Sequence, residues 1–149
     1  MYTVDIQDAD GRLGRDTAER LAEVARLVLR SEGAPEGAEV ALVIVGDDKI
    51  RELNRRYRGV DRPTDVLAFA AGEGEAFPAP PGAPCPLGDL IVSYPMAAAQ
   101  ASERDRSVDD ELALLVVHGC LHLLGYDHAS EDERERMWAR QDALLGAAG

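Results

Sequence analysis

All 3 histidines of this chain fall in one stretch, His118-Gly119-Cys120-Leu121-His122-Leu123-Leu124-Gly125-Tyr126-Asp127-His128. His118 and His122 are four apart. On an α-helix that spacing is about 400°, so both imidazoles leave the same face. Gly125 can take the left-handed conformation that ends a helix. His128 then lies just past the turn and can close on the other two. Three neutral imidazoles with one side open form the arrangement of a catalytic zinc or similar divalent site, and nickel, cobalt and copper suit the same donors. The alternative is a pair of core or surface histidines with an unrelated third. The spacing, the glycine and the lack of any histidine elsewhere argue against it. One Zn2+ per chain, held this way, keeps a position for water, lowers the pKa of that water and can polarise a carbonyl or phosphoryl oxygen. Hydrolysis of an ester, an amide or a phosphodiester is open on those grounds.

The histidines need a rigid base, and the residues before them supply one. Ser107 with Asp110 marks a helix N-terminus. From about 108 to 124 the pattern is apolar nearly all round, which predicts a helix buried on most sides. Cys120 lies about 200° from His118 around that helix and reads as a small core residue. Upstream, Tyr2 to Ile6 reads as a short strand, followed by a polar loop to Gly14. Asp16 and Glu19 resemble a capping box for a helix that buries Leu21, Val24, Ala25 and Val28. Val40 to Val45 is a buried strand. A helix over about 48–57, capped by an Asp, sets Ile50, Leu53 and Tyr57 on one face. Val66 to Ala70 and Leu87 to Ser93 are strands and neighbours in one sheet. Between them, residues 71–87 hold five of the 8 prolines and Cys85, which predicts an exposed, mobile loop. A short helix starts at Pro95. Ser130 with Glu133 opens the last helix, whose buried face is Met137, Trp138, Gln141, Leu144 and Leu145. The expected fold is α+β: one domain over 1–149, a mixed four-stranded sheet, about five helices, and a buried central helix carrying the histidines.

At 149 residues, 46% apolar and 30% charged, the chain suits one soluble domain. No apolar run is long enough to span a membrane, and the N-terminus lacks the regions of a signal peptide, so a cytoplasmic protein is expected. The 2 cysteines form no disulfide framework. The net charge of −12 opposes binding to nucleic acid by a general field. The exception is local. Residues 49–62 hold Lys49, Arg51, Arg55, Arg56, Arg58 and Arg62 against Glu52 and Asp61. Such a run is either a solvated helix face or a phosphate-facing surface.

The ligand spacing equals that of the metzincin proteases, HExxHxxGxxH. There a glutamate follows the first histidine as general base; here Gly119 holds that place and cannot move a proton, and no Met-turn is identifiable. A second resemblance runs through more of the chain. The histidine stretch resembles the HGxLHLxGYDH signature of the YbeY family of bacterial rRNA maturation endoribonucleases. The segment from Leu53 to Phe69, LNRRYRGVDRPTDVLAF, is similar to the family's LNxxYRxxDxPTDVLSF, with Ala68 where a serine is common. Gly88-Asp89-Leu90-Ile91-Val92-Ser93 is similar to its GDI-hydrophobic-Ser strand. These blocks span residues 53–128, in the family's order.

The resemblance implies a zinc-dependent endoribonuclease acting on single-stranded RNA, engaged in 16S rRNA 3′-end maturation and ribosome quality control. Its partners would be rRNA and the small ribosomal subunit or ribosome-associated proteins. By the motif, His118, His122 and His128 are the metal ligands and Arg58 is the catalytic arginine. A guanidinium can grip a phosphate bidentately and offset charge developing on it. Arg55, Arg56 and Arg62 take a weaker part in guiding the strand. Asp65 and Asp127 are candidates for the proton-transfer or imidazole-orienting groups around the metal. Two other readings stay open at this point: a zinc hydrolase of another substrate, and a ribosome assembly factor with a mainly structural metal.

Overall fold

The structure is a computed structural model that describes residues 2–8, 10–70, 85–126 and 130–148. Its elements are β1 (Thr3–Gln7), α1 (Arg15–Ser31), β2 (Ala38–Val45), α2 (Asp47–Arg58), β3 (Val66–Ala70), β4 (Cys85–Ser93), α3 (Tyr94–Glu103), α4 (Val108–Leu123) and α5 (Glu131–Ala148). The strands form one sheet in the order β1-β2-β4-β3. β1 and β2 are parallel, as are β2 and β4, while β3 runs antiparallel to β4 at one edge. The expected mixed four-stranded α+β fold is the one observed.

Strand alternation sorts the side chains into two layers. Val40, Leu42 and Ile44 of β2 and Leu90 and Val92 of β4 face one side, where they pack with α1, α3, α4 and α5. Val43 and Val45, Ile91, and Leu67 and Phe69 face the other side, against Ile50 and Leu53 of α2. So α4 and α2 lie on opposite faces of the sheet.

Several local expectations change. The N-caps of α1 and α2 are Gly14 and Gly46, with no side-chain cap bond, so Asp16, Asp47 and Asp48 sit in first turns, where they favour the helix dipole. Ser107 and Ser130 do cap, accepting from the Asp110 and Glu133 amides at 3.1 Å. Tyr57 and Trp138, expected on buried faces, are 56% and 54% exposed. Each is covered on one side by an arginine, Arg56 over Tyr57 and Arg134 over Trp138. That contact needs no burial. Cys85, Pro86 and Leu87, expected at the end of the loop over 71–87, belong to β4, with Cys85 and Pro86 paired to Ala38 and Glu39. The rest of the predicted proline-rich loop, residues 71–84, lies outside the described residues.

Candidate metal and RNA site

From Glu111 onward α4 is buried except for one stripe. Its interior includes Leu112, Leu115, Val116, Gly119, Cys120 and Leu123, while Leu114, His118 and His122 are only half-buried. Those three are spaced at i, i+4 and i+8, so they form one row on the helix. The helix presses hard on the sheet. A Cβ at Gly119 would stand 2.7 Å from Cδ2 of the fully buried Leu90. Position 119, where metzincins carry their catalytic glutamate, is here a point of helix–strand packing. Burial pushes the Cys120 thiol up to about 12, so it remains protonated and is no metal-binding thiolate.

The helix ends in a Schellman turn. The Gly125 amide donates to the His122 carbonyl at 3.0 Å and the Tyr126 amide to the Leu121 carbonyl at 3.0 Å, with Gly125 at φ 101°. The turn is then tied down. Tyr126 Oη donates to Glu32 Oε2 at 2.9 Å, and Arg140 Nε donates to Glu32 Oε1 at 2.6 Å. Partial burial and then the bond to Glu32 raise the Tyr126 phenol, so this group acts as a donor and not as a base.

The imidazoles of His118 and His122 lie with ring centroids 4.7 Å apart and planes at 75°. Two imidazoles bound tetrahedrally to one ion through nitrogens at about 2.0–2.1 Å would put their centroids roughly 5 Å apart. The pair therefore fits a shared zinc. Among the described residues there is no group of three or more metal-type side chains. The expected third ligand, His128, and its neighbour Asp127 lie outside the described residues.

Both imidazoles line a cavity of about 710 Å³. Its other walls include Asp65, the edge strand β3 from Val66 to Ala68, and Arg58. Arg58 comes from the opposite face of the sheet. It ends α2, where Arg55, Arg56 and Arg58 face the negative end of the helix dipole. Its guanidinium passes the free edge of β3, donates to the Ala68 carbonyl at 2.7 Å and lies over the Phe69 ring at 5.0 Å. The arginine and the two histidines thus meet across one cleft. Arg55, Arg56 and Arg62 are exposed, and Arg58 is the arginine among the described residues lining the cavity.

Asp65 is held from several sides. Its Oδ1 accepts from the Val66 amide at 2.7 Å, its Oδ2 accepts from Gln100 Nε2 at 3.3 Å, and its carbonyl accepts from the Ser93 amide at 2.9 Å. Ser93 Oγ in turn donates to Asp47 Oδ1 at 2.8 Å. Asp65 therefore joins the Pro-Thr-Asp turn to the Gly-Asp strand. Gly88 in that strand has φ 144°, and a Cβ there would stand 2.2 Å from the Phe69 carbonyl oxygen. Only glycine lets β3 and β4 close at the cavity's rim.

Three polar residues had no assigned role in the sequence. Buried Asn54 donates to the Arg62 carbonyl at 2.9 Å and fixes the loop between Arg58 and Asp65. Glu111 is 0% exposed and accepts from Arg104 Nη1 at 3.0 Å. Gln141 of α5 places Oε1 3.1 Å from His118 Nδ1. Only the last carried a usable signal, a glutamine on the predicted buried face of its helix.

The model of the family "Endoribonuclease YbeY" matches residues 4–149. The chain belongs to this family. It is 46% identical over 150 residues to the protein named endoribonuclease YbeY from Moorella thermoacetica, covering 99% of this chain and 96% of that one. The protein of that name from Geobacillus thermodenitrificans is 44% identical over 149 residues, with 98% and 96% covered. Among solved structures, the solution structure of TM1509 from Thermotoga maritima superposes with TM-score 0.66 at 28% identity, covering 99% of this chain and 89% of that one. The resemblance confined to residues 53–128 in the sequence motifs thus extends over nearly the whole chain. Among the described residues, no helix is long and apolar enough to cross a membrane.

Proposed function

We propose that this chain is a zinc-dependent endoribonuclease that cuts single-stranded RNA in the cleft between α4 and the end of α2. The observation that carries the reading is that Arg58 and the imidazoles of His118 and His122 line one cavity although they come from opposite faces of the sheet. His118, His122 and His128 hold the ion. When bound, it supplies an activated water and a Lewis acid for the phosphoryl oxygens. Arg58, already aligned by the Ala68 carbonyl and the Phe69 ring, receives a phosphoryl oxygen and offsets the charge that grows on it. Asp65 and Asp127 serve as orienting or proton-accepting groups. Arg55, Arg56 and Arg62 extend the positive edge along which the strand leaves the cleft.

The relatives' name gives an endoribonuclease; 16S rRNA 3′-end maturation in the cytoplasm is the task we assign to it, on the resemblance of the motifs. The net charge of −12 gives little long-range attraction to RNA, so the small ribosomal subunit or a ribosome-associated protein delivers the substrate. Nothing favours the peptide-hydrolase or structural-metal readings, and Gly119 opposes the former.

The test is Arg58→Ala. It should keep wild-type zinc content and lose on the order of 10²–10³ in kcat on single-stranded RNA. Cleavage at the wild-type rate would remove Arg58 from the chemistry. Zinc-loaded wild type that leaves single-stranded RNA intact would defeat the reading itself.

A further inference from the structure

A metal-binding imidazole must present a lone pair to the ion, and its other nitrogen then carries the proton. In free neutral histidine the proton prefers Nε2. A site that binds through Nε2 therefore has to hold the less favoured form, and a hydrogen-bond acceptor at Nδ1 does so.

His118 has such a neighbour on a different element. Gln141 Oε1 lies 3.1 Å from His118 Nδ1. The contact stands on the rear side of the helix row, at a smaller cavity of about 180 Å³ shared by Asp65, Gln100, Glu111, His118 and Gln141. Gln141 is held on α5 by buried neighbours, Met137 one turn before it at 0% exposure and Leu144 one turn after it at 3%. An amide oxygen only accepts, so it can meet Nδ1 only as N–H. The reverse arrangement, with the amide NH2 toward the ring, would spend the Nδ1 lone pair on glutamine and leave Nε2 protonated. That form cannot bind a metal through Nε2.

We propose that Gln141 is the positioning residue of the metal site: by accepting from His118 Nδ1–H it sets the tautomer whose Nε2 binds the ion. This rests on the zinc reading above and deepens it, because it assigns to α5 a function separate from packing. The motif stretch alone would then hold imidazoles of mixed tautomer, and the last helix makes one of them ready before metal arrives.

The experiment uses the full-length, metal-free protein labelled with 15N, at a pH where the ring 15N shifts themselves show neutral imidazoles. Two-bond 1H–15N correlations report the His118 tautomer. Wild type should read Nδ1–H; an Nε2–H reading would overturn the proposal without any variant. Gln141→Met keeps length and apolar packing but offers at best a weak acceptor. It should return His118 to Nε2–H and weaken zinc binding by about 10–100-fold in a chelator competition. Gln141→Glu keeps the acceptor and should restore both the tautomer and the zinc affinity. An unchanged tautomer in Gln141→Met, or equal zinc loss in Met and Glu variants, would reduce Gln141 to a packing residue. Because the tautomer is read without metal or RNA, failure here is distinguishable from failure of Arg58→Ala.

Discussion

The two walls of the cleft are built by opposite means. On one side α4 is buried among α1, α3, α5 and the sheet, and it meets Leu90 so closely that a methyl at Gly119 has no room. On the other, the last turn of α2 is exposed, and Arg58 is held by one carbonyl and one ring face at the edge of β3. The difference follows from what each wall does. Metal ligands must converge within fractions of an ångström, so their base has to be stiff. A phosphate-gripping guanidinium needs charge and reach, and the substrate itself supplies its last partner.

The contrast is broken most directly at the stiff wall. His122→Ala removes a half-buried imidazole that faces the cavity and leaves the buried rows of α4 intact. It should stay folded, lose bound zinc and lose cleavage. An ion contributes several kcal/mol of charge stabilisation, so the fall should be on the order of 10³-fold. Metal analysis beside cleavage assays on the same preparation checks it. A variant that keeps full zinc occupancy would show that His122 is no ligand.

Much of this wall was legible in the sequence because its signals are local. Spacing of four, an apolar pattern without a polar stripe, and a glycine at the right offset are all read within one turn or two. The same holds for the strands, read as short apolar runs between turn residues, although which side chains face which layer came only from the structure. What escaped was non-local. Gln141 meets His118 across 23 positions, and Glu111 takes its partners from the turn before its own helix. Nothing in their spacing announces either contact. Tyr57 and Trp138 misled for a related reason: helical periodicity assigns large aromatics to the core, but an arginine laid over the ring stabilises them at the surface. The meeting of Arg58 with the histidines was readable only from the family motifs. The chain has to pass a sheet edge to achieve it.

A smaller effect sharpens the contrast in stability alone. Gly119→Ala forces a new methyl against Leu90 and should cost about 1–3 kcal/mol. Thermal unfolding would register this as a drop of roughly 2–4 °C per kcal/mol in a chain of this size. Arg55→Ala at the exposed wall should stay within about 0.5 kcal/mol of wild type. Equal losses at the two positions would mean that α4 is no stiffer than α2.

The smallest effect separates the two readings of the basic run. If Arg55 touches a phosphate of the bound strand, Arg55→Ala should lower affinity several-fold at low salt. The slope of log K against log salt should shrink by about 0.7, the value of one phosphate contact on a single strand. If Arg55 only complements the negative end of α2, the slope should not move, because no counterion release is lost. Titrations of single-stranded RNA at several salt concentrations, with the metal removed so that the strand stays intact, distinguish these outcomes. In an acidic protein this slope is informative, since the negative background weakens binding in wild type and variant alike and largely drops out of the difference.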